Sequence, residues 1–383
     1  MRILVDIRHL AHPKPSGVGE YTIEILRALF RIDKQNQYTL LSTGRIKPDI
    51  DVLFPGHTQD VEHVHVSIPN KILNLRMSLL GHPTLNWHVK NPVDLLFMPN
   101  LNIAPLPPNL PTVLTVHDLS WKIFPEFYSA RMRAWHKAIK PQALIDRVDS
   151  IITPSLSTKC DLERSFGRKS DRVHVIPHGV HSRYSASMQA RDHGVRSRQK
   201  LPKRFVLFLG TIEPRKNIIA IIDGVKRYRD QTGDDLHLVL VGKWGWKARA
   251  IKKRLWKRDT KPWVHQLGYV PKEDLPAVYR SAKALVWPSI YEGFGLPVLE
   301  SMACGTPVIT SHTSSLAEVT GDAAVHVDPF NDQDITSALM GILGSNTLHT
   351  TLAQKGQKQA ANHTWQQAAE QTLCVFHKTQ EKS

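Results

Sequence analysis

The stretch FVLFLGTIEPRKN, residues 205–217, decides the fold. Its opening apolar run shows no polar alternation, which is how a strand buried on both faces of a parallel sheet reads. A glycine ends the run, a polar loop follows, and NIIAIIDGV continues at helical period. The stretch is therefore a strand–loop–helix unit, and more of them lie on either side. Upstream, RILVDI, QYTLLS, EHVHVS, DLLFMP, TVLTVH, SIITPS and HVIPHGV read as strands, with helices near 18–32, 71–81, 130–147 and 156–166. Downstream, HLVLVG, VHQLGYV, KALVWPS, PVITS and AAVHVD read as strands, with helices from Asn217, Glu273 and Pro297 and a helical pattern from Asp332 onward. Strands alternating with helices imply parallel sheets covered on both faces. Two such series predict an α/β chain of two Rossmann-like domains facing across a cleft. The expected bounds are 1–190 and 191–365, with a helical tail over 366–383 packing back toward the first domain. The basic, weakly patterned stretch 183–204 reads as the linker.

At 383 residues, two domains are the default expectation. No stretch approaches the roughly 18 apolar residues of a membrane span. The apolar run in MRILVDIRHL is too short for a signal peptide. Cys160, Cys304 and Cys374 are isolated, which argues against a disulfide framework and a zinc site and fits a reducing, cytoplasmic compartment. The net charge is +16, with 23 Lys and Arg against 16 Asp and Glu in residues 1–190, and 27 against 18 in residues 191–383. The excess is thus spread over both halves. Two clusters, RMRAWHKAIK (131–140) and WKARAIKKRLWKR (246–258), interleave cations with tryptophan. That pattern suits an anionic membrane surface, and a solvated helix face explains either cluster as well. Nucleic acid fits poorly, because the charge is dispersed and no recognition motif accompanies it.

In open parallel sheets ligands bind beyond the carboxyl ends of the strands, and the unusual residues cluster there. KPSGVGEYT (14–22) follows the first strand; Gly17 and Gly19 supply a flexible loop with bare N–H groups at a helix start. Thr22 stands where a dinucleotide fingerprint would place its third glycine, so that fingerprint is incomplete. His117 and Asp118 follow the strand TVLTVH; His117 is placed to meet a ligand, and Asp118 suits capping the next turn. Arg215 and Lys216 stand together before a helix, an arrangement that suits a diphosphate. In YEGFGLPVLE (291–300), Glu292 lies on a loop and Glu300 in the following helix, with Gly293 and Gly295 exposing N–H groups between them. A carboxylate only accepts hydrogen bonds, so it suits the hydroxyls of a sugar or ribose better than a phosphate.

GTIEPRKN, PSIYEGFGLPVLESMACGTPVI, SSLAEVTGDAAVHVDP, SGVGEYT and VHD together resemble the family-4 glycosyltransferases of the GT-B fold, most of all their mannosyltransferase members. The resemblance implies a nucleotide-diphospho-sugar donor on the C-terminal domain, an acceptor on the N-terminal domain, and transfer with retention of configuration. It implies that Arg215 and Lys216 neutralise the diphosphate, Glu300 binds the ribose diol and Glu292 contacts the donor sugar beside the N–H groups of Gly295 and Leu296. It places His117 by the donor sugar, closes Gly17 and Gly19 over the phosphates, and takes Gly210, Gly293 and Phe294 into the donor site. Many members carry Arg directly after the glycine of the cation loop; Thr211 stands there, so the phosphate role falls on Arg215 and Lys216. No DxD motif appears, and no metal or other cofactor is expected. The function expected is hexose transfer, with mannose from GDP-mannose as the first choice and UDP-linked donors as the other. The acceptor expected is a glycan or lipid-linked sugar of a cell-envelope polysaccharide at the cytoplasmic face of the membrane. The alternatives are a soluble acceptor, as in sucrose, trehalose or glycogen-type synthesis, and, remotely, nucleic-acid binding.

Overall fold

The computed structural model describes residues 1–11, 17–57, 61–167 and 170–381. The expected strands form β1 (Arg2–Asp6), β2 (Gln37–Thr43), β3 (Val61–Val66), β4 (Leu95–Met98), β5 (Thr112–Thr115), β6 (Ser150–Thr153) and β7 (Val173–Val175). The second series forms β8 (Phe205–Leu209), β9 (His237–Val241), β10 (Val264–Gly268), β11 (Leu285–Trp287), β12 (Val308–Ser311) and β13 (Val325–Val327). The first sheet has the order β3-β2-β1-β4-β5-β6-β7 and the second β10-β9-β8-β11-β12-β13, with every pairing parallel. Central strands such as β4, β5 and β11 are buried along their whole length, so their sequences are continuous rather than alternating. These are two Rossmann-like units.

The chain divides differently from the expected bounds. Unit 1 comprises Met1–Leu119, Ala130–Gly179 and Thr364–Ser383; unit 2 comprises Ser120–Ser129 and Val180–His363. The stretch 183–204 is docked rather than a loose linker. Its helix Asp192–Arg198 buries Val195 in the core of unit 2, and Asp192 receives two hydrogen bonds of 2.7 Å from the guanidinium of Arg280. Ser120–Ser129 joins unit 2 through side-chain contacts that composition does not reveal. Trp246 Nε1 and Lys247 Nζ each donate at 2.6 Å to the carbonyls of Phe127 and Glu126, and the rings of Tyr128 and Trp246 stack.

The helix expected over 130–147 is two helices, Ala130–Ala138 and Pro141–Arg147. Pro141 is the cause, because a proline bars the right-handed helical conformation from the residue before it. Lys140 accordingly sits at φ 55°, ψ 58°. Among the described residues no helix is long and apolar enough to cross a membrane.

The last helix, Trp365–Glu381, packs on unit 1 beside the helix Gly17–Ile32 and strands β5 and β6. Phe376 meets Phe97 of β4 edge-on at 5.0 Å, and Thr379 Oγ1 donates to Ser150 Oγ at 2.7 Å. At the start of this helix a Cβ on Gly179 would lie 2.1 Å from the Trp365 nitrogen, so the two backbones touch and only glycine fits. Phe376 is fully buried. Phe376→Ala is expected to cost about 3–5 kcal/mol through lost burial and an unfilled cavity. Urea unfolding checks this; a loss under about 1 kcal/mol would mean that the helix does not seal this core.

Candidate active site

In unit 2 the strand order reverses between β8 and β11, which are hydrogen-bonded neighbours although the chain visits β9 and β10 between them. At such a switch point the connections leave in opposite directions and open a crevice beyond the strand ends. The loops after β8 and β11 meet there, tied by Ile290 N–H donating to the Arg215 carbonyl at 2.9 Å. Arg215 donates to Glu213 from Nε at 3.2 Å and from Nη2 at 3.0 Å. From Nη1 it donates to the Tyr291 carbonyl at 2.6 Å and to Glu292 Oε2 at 3.0 Å. Lys216 Nζ donates to Glu292 Oε1 and lies 4.3 Å from the centroid of the Trp287 ring. Two cations and two carboxylates thus form a formally neutral quartet, with no side chain more than 11% exposed.

Burial pushes the Glu292 carboxyl up, but Arg215 and Lys216 outweigh it and hold the group below the usual carboxylate value. At Glu213 burial prevails over the same two cations, and its carboxyl stays above that value. Burial and Arg215 together draw the Lys216 ammonium down against Glu292 and Glu213. Glu292 is therefore an ionised acceptor whose two oxygens are aimed by two different cations.

The loop carrying Glu292 is held from both sides. Its N–H donates to Ser314 Oγ at 2.9 Å, and Ser315 Oγ donates to the carbonyls of Glu292 at 2.9 Å and Phe294 at 3.1 Å. Gly293 and Phe294 are buried. Gly295 adopts φ 108°, and a Cβ there would lie 2.7 Å from the Leu316 side chain. The helix Leu296–Ala303 begins next, with Pro297 in its first turn, where a missing N–H costs little. Glu300 lies in the second turn, half-buried, with the Tyr279 hydroxyl donating to Oε2 at 2.7 Å. Gly210 closes β8, its N–H donating to the Val241 carbonyl at 2.9 Å.

The other candidates lie in unit 1. His117 follows β5, and its Nε2 is 2.9 Å from the Pro99 carbonyl. A carbonyl only accepts, so the ring hydrogen sits on Nε2 and Nδ1 keeps its lone pair. Tyr21 packs edge-on to His117 with centroids 4.7 Å apart and also contacts His178, which stacks on Trp365 at 5.8 Å. His9 Nε2 lies 2.8 Å from Thr22 Oγ1. Gly17 and Gly19 occupy the first turn of the helix Gly17–Ile32 rather than an open loop, Gly19 being buried. The rest of the expected glycine loop, Lys14 to Ser16, lies outside the described residues. Among the described residues no three His, Cys, Asp or Glu side chains are grouped to hold a metal ion.

Residues 15–184 match the description Glycosyltransferase Family 4, and residues 192–359 match Glycosyl transferases group 1. The chain belongs to the family-4 glycosyltransferases. This glycosyltransferase is 29% identical over 385 residues to the O-antigen chain mannosyltransferase B of Escherichia coli, covering 98% of this chain and 99% of that protein. Its fold is similar to the sucrose-phosphate synthase of Thermosynechococcus elongatus, with a TM-score of 0.80 at 20% identity over the whole of both chains. It is also similar to HepE of Anabaena in complex with UDP and glucose, with a TM-score of 0.74 at 17% identity over 98% of this chain and 99% of that one. The glycosyltransferase fold is thus GT-B.

Sequence reasoning missed Glu213, Ser314, His9 and His178. Glu213 stands inside the quoted cation loop, and an acid two residues before an arginine is the signal that was there to find. His178 follows β7 as His117 follows β5, again at a strand's carboxyl end.

Burial lowers His9, His117 and His178 of this cluster: His9 to about 4, against the pull of Asp6; His117 against its bond to Pro99; and His178 with His117 adding to the effect. A folded-state value below the unfolded one means that the native state binds fewer protons, so stability rises with pH across the interval between the two values. This glycosyltransferase is therefore expected to keep the full contribution above the ordinary histidine value of 6.5 and to lose it as pH falls toward 4. The slope is up to about 1.4 kcal/mol per pH unit for each histidine. Thermal midpoints measured across that interval check this, and His9→Gln is expected to flatten the curve; an unchanged slope would count against it.

Proposed function

We propose that this enzyme transfers mannose from GDP-mannose to a sugar hydroxyl of a growing cell-envelope polysaccharide, with retention of configuration and without a metal ion. The observation that carries the proposal is the convergence of Arg215, Lys216 and Glu292 at the switch point between β8 and β11. The choice of mannose is supported by the full-length similarity to an O-antigen chain mannosyltransferase.

The residues divide the work by chemistry. Lys216 is a compact ammonium whose partner Glu292 can be exchanged for phosphate oxygens, and the N–H groups at the start of Leu296–Ala303 add the positive end of a helix. Together they stabilise the charge that develops on the diphosphate as the sugar–oxygen bond breaks. Arg215 acts as a positioning residue. Its donors are committed to Glu213, Tyr291 and Glu292, so it fixes the loop that presents Glu292. Glu292, an ionised acceptor, takes hydrogen bonds from hydroxyls of the donor sugar, and Glu300, oriented by Tyr279, takes the ribose diol. In unit 1 the neutral His117 offers Nδ1 as an acceptor to a sugar hydroxyl.

Thermal stabilisation by GDP, UDP, dTDP and ADP tests the donor base. A ligand present at 100 times its Kd adds about 2.7 kcal/mol, so the correct base is expected to stand out. Stabilisation by UDP and not GDP would overturn the GDP-mannose assignment. Lys216→Ala is expected to abolish nucleotide stabilisation. Glu300→Gln is expected to weaken it by about 1–3 kcal/mol, through loss of charge-assisted hydrogen bonds. Arg215→Gln is expected to lower kcat more than it raises KM, and the reverse split would make Arg215 a phosphate ligand instead.

A further inference from the structure

The segment Ser120–Ser129 follows β5 in the chain yet packs with unit 2, and the residues that hold it stand in one loop. That loop, GKWGWK over 242–247, leaves the end of β9. Its first half is pressed against the cation loop after β8. Ile212 N–H donates to the Lys243 carbonyl and Gly245 N–H to the Ile212 carbonyl, both at 2.9 Å. A Cβ on Gly242 would lie 1.9 Å from the Gly210 carbonyl oxygen, so only glycine allows this approach. At the tip Lys247 takes φ 52°, a left-handed conformation that a side-chain-bearing residue keeps only where its surroundings hold it.

The tip grips main chain rather than side chains. Trp246 Nε1 and Lys247 Nζ donate to the carbonyls of Phe127 and Glu126, and the Trp246 ring stacks on Tyr128 with centroids 5.7 Å apart. The Tyr128 hydroxyl lies 2.5 Å from Ser120 Oγ, which ties the two ends of the segment together. Phe124 stacks on Phe127 at 5.6 Å and also meets the ring of Tyr291 at 5.7 Å. Tyr291 is buried, and its carbonyl receives Arg215 Nη1 at 2.6 Å. The contacts close a ring: the cation loop, the β9 loop, Ser120–Ser129, the Glu292 loop and, through Arg215, the cation loop again.

We infer that Ser120–Ser129 is a brace for the Glu292 loop, and that Trp246 is a positioning residue for sugar transfer, acting through Phe124 and Tyr291 on the Arg215–Glu292 pair. A hydrogen bond to a carbonyl sets where the backbone lies whatever side chains the segment carries, and the stacked indole sets its distance. The groups assigned to phosphate are held otherwise. Lys216 faces Glu292 and Trp287, and Ser315 holds the Phe294 carbonyl just before the helix Leu296–Ala303. A loosened brace therefore shifts Glu292 against a donor that stays bound, which lowers kcat and leaves KM near its value. A plain packing role would lower the thermal midpoint instead. The inference rests on the reading of Arg215 and Glu292 as donor-site residues.

The test measures nucleotide released from GDP-mannose and from UDP-glucose by the full chain and by Trp246→Phe, Lys247→Met and Arg215→Gln. Phenylalanine keeps a ring against Tyr128 and removes the N–H. With the donor that the wild type turns over, Trp246→Phe and Lys247→Met are each expected to lower kcat about three- to tenfold, while KM and stabilisation by free nucleotide stay at wild-type values. Added to Arg215→Gln, Trp246→Phe is expected to cause little further loss, because both act on one ring of contacts. Hydrogen exchange needs no donor. Trp246→Phe is expected to speed exchange at 124–128 and also at 290–292, while β8 and β11 keep wild-type protection. An unchanged kcat, a loss that multiplies fully with that of Arg215→Gln, or faster exchange confined to 124–128 would overturn the inference. A wild type that releases neither nucleotide bears on the proposed function rather than on the brace, and the exchange result then decides the brace by itself.

Discussion

Within each sheet every strand points the same way, and most of the protein follows from that constraint. Parallel neighbours cannot be joined by a tight turn, so each connection crosses over the sheet and covers its faces. Strands buried on both faces carry few charged side chains, which gather instead in the loops at the strand ends. Because all carboxyl ends share one edge, residues far apart in sequence gather along it. Arg215 and Glu292 are 77 positions apart and 3.0 Å apart in space for this reason.

The two edges differ in chemistry. Unit 2 concentrates full charges, and burying them is tolerable only because each cation faces a carboxylate and each guanidinium nitrogen has an acceptor. Such a set is already arranged before any ligand arrives, so it needs no reorganisation when charge develops beside it. Unit 1 presents histidines kept neutral by burial, together with Tyr21 and Trp365, a surface that offers hydrogen-bond acceptors and ring faces without net charge. At these two edges, paired charges and neutral imidazoles are thus held by the burial of different side chains.

Much of this was legible in the chain. Each strand could be read because apolar runs bounded by turn residues have few other structures available. The family could be read because GTIEPRKN and YEGFGLPVLE each combine a strand end, a glycine and charged residues at a fixed spacing. The break at Lys140 was legible too, in Pro141, but the periodicity on either side masked it. The docking of 183–204 was not: Asp192 and Val195 are ordinary residues until Arg280 and the core of unit 2 surround them. The insertion of Ser120–Ser129 into unit 2 likewise depends on Trp246 and Lys247, more than a hundred residues away.

Sequence alone determined what is local: the strands, several of the helix starts, the candidate cations and carboxylates, and the family. These depend on periodicity and turn chemistry, which act over a few residues. Tertiary structure decided which charges neutralise one another, which loops are clamped and where the chain passes from one unit to the other. It made Arg215 a strut and left Lys216 facing Glu292 and Trp287, although the two cations are adjacent and alike on paper. The physical reason is that burial, and the pairing it demands, belongs to surfaces brought together by folding and has no value until they meet.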